Sequence, residues 1–148
     1  MTTPALRPAT SDDYASLIGL LQAAALPTAG LTPALTDFYV AEHGGRVVGA
    51  IGIEPYDRTA LLRSAVVDPG LRGSGVGKAL VRRILDHARE RGLTEVFLLT
   101  TTAERYFLRF GFAPIARDEV PGGIRDSLEF REACPASAVV MRAALSTK

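Results

Sequence analysis

The stretch Val66-Val67-Asp68-Pro69-Gly70-Leu71-Arg72-Gly73-Ser74-Gly75-Val76-Gly77-Lys78-Ala79-Leu80 decides how this chain is read. An apolar strand runs into a glycine-rich turn, and the turn opens a helix. Glycines let backbone N–H groups converge on an anion without side-chain obstruction. The start of the following helix adds the positive end of a dipole. Such a segment is suited to a diphosphate. A P-loop would need Gly-Lys followed by Ser or Thr, and here Gly77-Lys78 is followed by Ala79. A dinucleotide fingerprint would need Gly-x-Gly-x-x-Gly, whereas Gly73, Gly75 and Gly77 alternate. A plain strand-to-helix turn is the remaining reading, but three alternating glycines exceed what a turn needs.

Working outward, Thr59–Val67 is a mostly apolar run and is expected to be a central strand. Before it, Phe38–Glu42 and Arg46–Ile53 flank His43-Gly44-Gly45, a hairpin signal, and Glu54-Pro55-Tyr56-Asp57 is expected to turn. Ala5–Arg7 reads as a short first strand. Ser11-Asp12-Asp13 then caps a helix carrying Tyr14, Leu17, Ile18, Leu21 and Ala25, closed by Pro27 and Gly30. After the loop, Val76, Ala79, Leu80, Ile84, Leu85 and Ala88 make one apolar helical stripe, and Gly92 is the expected stop. Glu95–Leu99 is a further strand, Thr101–Phe110 a short helix ended by Gly111, and Phe112–Ile115 the start of another strand. Pro121–Glu132 is compatible with a helix, and Ala138–Arg142 with a last strand. A mixed sheet covered by helices follows, in one domain over 1–148.

The formal net charge of +1 leaves no global field favouring nucleic acid or membrane. Among the 17 basic residues only Lys78 and Lys148 are lysines. Arginine suits bidentate binding of phosphate or carboxylate, although a coding bias is the plainer reading. Cys134 is the one cysteine, so no internal disulfide can form, which fits a reducing cytoplasm. Met1 to Arg7 lacks a basic segment followed by an apolar one, so no signal peptide is expected. His43 sits in a glycine turn, His87 on the charged side of a helix, and Cys134 beside Pro135. No spacing among them points to a metal.

At the glycine-rich loop the sequence resembles the GNAT superfamily of N-acetyltransferases. The family signature Arg/Gln-x-x-Gly-x-Gly/Ala is matched by Arg72, Gly75 and Gly77. A preceding Val-x-Pro-x-x-Arg pattern is matched from Val67 to Arg72, and Ala103 through Gly111-Phe112 is similar to the family's aromatic-x-x-x-Gly-Phe segment. The resemblance implies an α/β (α+β) fold with a mixed, mostly antiparallel sheet. Two parallel strands would splay to form an acetyl-CoA slot, flanked by helices. It implies pantetheine along Ala65, Val66 and Val67, and diphosphate on the amides of Arg72, Gly73, Ser74, Gly75, Val76, Gly77 and Lys78. Thr100 and Phe107 would border the thioester. From Leu99 to Val120-Pro121 the chain is similar to the C-terminal domain of bacterial N-acetylglutamate synthases. Leu61 to Ser64, Leu99 to Ala103 and Cys134 to Val139 are similar to the small N-acetyltransferases of arsenic-resistance operons.

Acetyl transfer needs a deprotonated amine, a polarised carbonyl and a departing thiolate. Many relatives place a tyrosine four residues before the Gly-Phe glycine to protonate the thiolate. Here that position is Phe107, and Tyr106 lies one residue earlier, about 100° around the helix. Tyr106 is therefore either a displaced acid or a packing and contact residue. Glu54, with Asp57 as the alternative, is the candidate base acting through water, and against it stands ordinary turn chemistry. Arg63 and Ser64 are the polar exceptions in an apolar strand. A buried arginine demands a carboxylate, from the protein or from a ligand. Arg63 is thus a candidate substrate clamp or half of an internal ion pair, Ser64 a candidate catalytic hydroxyl, and Arg125 a second clamp or a surface residue. The expected activity is acetyl-CoA-dependent acetylation of a small amine, an amino acid or analogue, with no metal, nucleic acid or membrane partner. Homodimers are common among relatives. Protein acetylation and a non-catalytic CoA-binding module are the alternatives.

Overall fold

The computed structural model describes residues 4–26, 28, 30–71, 73–100, 103–126 and 138–145. Seven strands form one sheet: β1 (Ala5–Pro8), β2 (Phe38–His43), β3 (Arg46–Tyr56), β4 (Thr59–Val67), β5 (Glu95–Thr100), β6 (Ala113–Ile115) and β7 (Val139–Ala144). Their spatial order is β1-β2-β3-β4-β5-β7-β6. Every pairing is antiparallel except β4 with β5. The helices are α1 (Tyr14–Ala23), α2 (Val76–Glu90), α3 (Glu104–Leu108) and α4 (Gly122–Arg125).

Two helices cover the middle of the sheet from opposite sides. On one face Leu17 and Leu21 of α1 pack with Phe38, Val40, Ala50 and Val66. On the other, Val76, Leu80, Val81, Ile84 and Leu85 of α2 pack with Ile51, Ile53, Leu62, Val96 and Leu98. Five of the six stripe residues read from sequence lie on the buried face of α2; Ala79 is half-buried, and Val81 is buried in addition. Asp37, at the foot of β2, ties that strand to the far end of α2: His87 Nε2 and Arg91 Nη1 each lie 2.8 Å from its Oδ1. His87 is accordingly a structural hydrogen-bonding group.

The central strand carries one irregularity that sets up the site. Ala60 and Leu62 face α2, and so do Ala65 and Val67. A regular strand alternates faces at every residue, so an odd spacing between same-face residues requires an inserted one. Ser64 is that residue. It sits at φ +61°, and the register shifts between Ala50 and Gly52 of β3. This bulge turns the strand and re-aims its side chains.

Several boundaries differ from the sequence reading. β3 runs on through Glu54, Pro55 and Tyr56, and the turn falls at Asp57 (φ +61°). Glu54 is therefore a strand residue. Pro55 is tolerated because β2 has already ended opposite Gly52, leaving no partner on that side for the missing N–H. α1 ends at Ala23 rather than near Ala25, where the chain turns left-handed (φ +57°). Of the expected helix over Pro121–Glu132, Gly122–Arg125 is helical, and residues 127–137 lie outside the described residues. Arg72, Thr101, Thr102 and Cys134 also lie outside them.

Candidate active site

β4 and β5 pair only at Thr59–Leu61 with Glu95–Phe97. Beyond that point β4 continues for six residues, from Leu62 to Val67, past its ladder with β5. Among the described residues no strand pairs with the β5-side edge of Ala65 to Val67, which leaves those peptide groups for a ligand. β5 leans the other way, pairing with β7 out to Thr100 opposite Val139. The opening is a V, and a cavity of about 900 Å³ fills it. Its walls include Leu62 to Val67 from β4, Leu98 to Thr100 from β5, Gly73, Gly75 and Gly77 from the loop, and Tyr106, Phe107 and Arg109 from α3 and its end.

The loop meets this cavity as a cradle. Gly73 (φ +82°) and Gly75 (φ +92°) hold left-handed conformations that ordinary residues avoid, and a Cβ at either would face open space. Gly75 caps α2, so the free N–H groups of the first turn point out of the helix end. The Ser74 hydroxyl donates to the Leu71 carbonyl and stiffens the turn. Lys78 lines the cavity from α2, and no carboxylate lines it among the described residues. A cradle of amides, a lysine and no competing anion fits the diphosphate of CoA. The unpaired edge of β4 fits the amides of pantetheine.

The other expected site residues fall into two groups. Thr100 lines the cavity while its Oγ1 accepts from the Ala103 N–H at 2.9 Å, fixing the start of α3. Phe107 is buried against Phe112 and the α2 core, and it also reaches the cavity wall. Tyr106 packs edge-on against Phe107 and Phe110. Its hydroxyl lies 3.1 Å from the point a Cβ on Gly77 would occupy. That places the phenol beside the phosphate cradle, so the residue read as a displaced acid stands at the first turn of α2. Burial pushes the phenol's pKa up, against the opposing pull of Arg109.

Arg63 finds its carboxylate within the protein. Its side chain is fully buried, and Nη1 donates to Glu54 Oε2 at 2.8 Å. Nε lies 3.3 Å from Ser64 Oγ. Tyr56 donates its hydroxyl to Glu54 Oε1 at 2.9 Å. Of the two partners open to Arg63 in the sequence, the structure supplies the internal one, and an acceptor carboxylate would have to compete with Glu54 for this guanidinium. Arg63 and Ser64 line the main cavity. Glu54 instead faces a smaller recess of about 220 Å³, bordered by residues 30–38 and by Ile53 to Tyr56. The ion pair thus stands between the two spaces. Asp57 is exposed in its turn, on neither wall. Arg125 is exposed, donates from Nη2 to the Val120 carbonyl at 2.9 Å, and lies on neither wall. The second clamp is therefore not brought to the site.

Sequence reasoning passed over Arg109. Its guanidinium sits 5.3 Å over the Tyr106 ring and lines the cavity. The spacing of three from Tyr106 on a helix was the available signal.

The model of the acetyltransferase (GNAT) family matches residues 8–112. This chain belongs to that family. Among curated relatives, an amino-acid acetyltransferase of Ralstonia nicotianae is 32% identical over 127 residues, covering 78% of this chain and 28% of that protein. An amino-acid acetyltransferase of Mycobacterium tuberculosis is 36% identical over 102 residues, covering 66% of this chain and 58% of its relative. The chain thus spans well under two thirds of either relative. Among solved structures, N-acetylglutamate synthase from Neisseria gonorrhoeae, complexed with coenzyme A and N-acetyl-glutamate, superposes with a TM-score of 0.83 at 22% identity. It covers 99% of this chain and 36% of that one, a likeness of fold. Rv2747 from Mycobacterium tuberculosis, solved in complex with CoA, has a TM-score of 0.79 at 27% identity, covering 97% of this chain and all of that one. No helix among the described residues is long and apolar enough to cross a membrane.

Proposed function

We propose that this GNAT chain transfers the acetyl group of acetyl-CoA to the α-amine of a free amino acid or an amino-acid analogue. The open β4–β5 edge running into the glycine cradle carries this reading. The amino-acid acetyltransferases among its relatives support the acceptor class. The likeness to arsenic-operon N-acetyltransferases supports including toxic analogues.

Acetyl-CoA supplies an activated thioester, and the protein's work is placement and proton handling. The amides of the cradle and of β4 from Ala65 to Val67 hold the donor. Phe107 and Leu98 keep water from the thioester. Glu54 is the candidate base: it faces the smaller recess beyond Arg63, its carboxylate is held in one orientation by Arg63 and Tyr56, and the amine's proton would reach it along water past the ion pair. A CoA thiolate is a good leaving group, so Phe107 in the usual tyrosine position is no obstacle. Release of CoA, measured across a panel of free amino acids, their amides and short peptides, tests the proposal. Free amino acids and analogues should turn over fastest. Faster acetylation of peptides would replace it with protein acetylation.

A further inference from the structure

Tyr106 and Arg109 stand where the donor's charged end must pass. The Tyr106 hydroxyl is next to Gly77 in the first turn of α2, and Gly77 is the last of the three cradle glycines. A Cβ at residue 77 would crowd that hydroxyl at 3.1 Å, so glycine here leaves room for the phenol as well as for a ligand. Its hydroxyl makes no hydrogen bond among the described residues. Arg109 lies over the same ring at 5.3 Å and reaches the cavity wall. The ring fixes the guanidinium by a cation–π contact. Both residues come from α3 and its end, and both line the cavity into which the cradle opens.

We propose that the Tyr106 hydroxyl and the Arg109 guanidinium form a second wall of the diphosphate site, beside the amides at the start of α2. Tyr106 is then a donor-positioning residue and not the acid for the thiolate. This rests on the acetyl-CoA reading above. Among the described residues the cradle offers main-chain amides and no side-chain hydroxyl aimed at the start of α2. A hydroxyl donor and a cation at its flank would add two contacts to the same anion. The phenol is suited to this, since burial keeps its proton on and the proton available for donation.

The test is calorimetric titration of CoA and of 3′-dephospho-CoA into the unchanged protein, Tyr106→Phe and Arg109→Gln, with melting curves for each. Arg109 is exposed, so its variant folds regardless of how Tyr106→Phe behaves. Tyr106→Phe should weaken CoA about tenfold, the scale of one hydrogen bond to a charged group. Arg109→Gln should weaken it about fivefold at low salt, and less at high salt. Both losses should be the same for 3′-dephospho-CoA, which keeps the diphosphate. At saturating acetyl-CoA, kcat of Tyr106→Phe should stay within about twofold of the parent, because an acid would be worth about a hundredfold.

Unchanged CoA affinity in both variants overturns the wall. So does a loss that vanishes with 3′-dephospho-CoA, since the residues would then read the 3′-phosphate. A hundredfold fall in kcat with intact CoA affinity overturns it in favour of the general acid. If the unchanged protein fails to bind CoA at all, the acetyl-CoA reading falls, and this wall with it.

Discussion

The two ends of the cavity are built on opposite principles. At the donor end the protein withholds groups: glycines leave out side chains, and β4 leaves a backbone edge unpaired. Binding there would come from main-chain amides of the glycine turn and the β4 edge. At the other end the protein fills every demand itself. Arg63 is matched to Glu54, Glu54 to Tyr56, and Ser64 to Arg63. A site made of vacancies should be sensitive to added bulk and tolerant in stability. A site made of matched charges should be sensitive to deletion and should unfold with it.

The largest effect belongs to the donor end. Gly75→Glu places a negative side chain in the cradle at φ +92° and should weaken CoA binding by more than about a hundredfold, with a melting point lowered by only a few degrees. Calorimetric titration beside a melting curve measures both. At the other end Glu54→Ala removes the carboxylate that the fully buried Arg63 guanidinium donates to. It should lower unfolding stability by about 3 kcal/mol in denaturant titration while CoA affinity of the folded protein is kept. The reverse pattern in either variant would erase the contrast.

A gentler change sharpens it. Glu54→Gln keeps hydrogen bonds to Arg63 and Tyr56 but cannot take a proton. It should lower kcat by about tenfold to a hundredfold. An unchanged kcat would leave the pair with a structural role alone. The smallest effect lies far from the cavity. Arg7 is hydrogen-bonded to Asp13 and holds its carboxyl below the usual carboxylate range. That stability is fully present above the ordinary carboxylate pKa and is lost as pH falls through the lowered one. Arg7→Gln should therefore lower the melting point slightly at neutral pH, and the gap to the parent should close in strong acid.

The fold was legible because its signals are local. The apolar run Thr59–Val67, the glycine loop and the stripe of α2 each follow from residue type and spacing, and together they place a parallel pair beside a cradle. The acceptor end was less legible because its meaning depends on pairing across strands. Glu54 looked like a turn residue because Pro55 follows it, and only the early end of β2 explains why the strand continues. Arg63 demanded a carboxylate, but nothing local says that Glu54, nine residues earlier, supplies it. The bulge at Ser64 was invisible, since serine at φ +61° leaves no compositional trace. Tyr106 and Arg109 were readable as a helical pair, but the position of Tyr106 against Gly77 depends on how α3 packs against α2.

The central claim is that this cavity passes acetyl from CoA to the α-amine of a small amino acid. The most direct check is mass spectrometry of the products formed from acetyl-CoA and an equimolar mixture of free amino acids, their amides, and short peptides of the same composition. Free amino acids carrying one acetyl group on the α-nitrogen should form in step with free CoA, with amides and peptides trailing. Acetylated peptides in excess over free amino acids, or CoA bound with no acetylated amine formed at all, would contradict it.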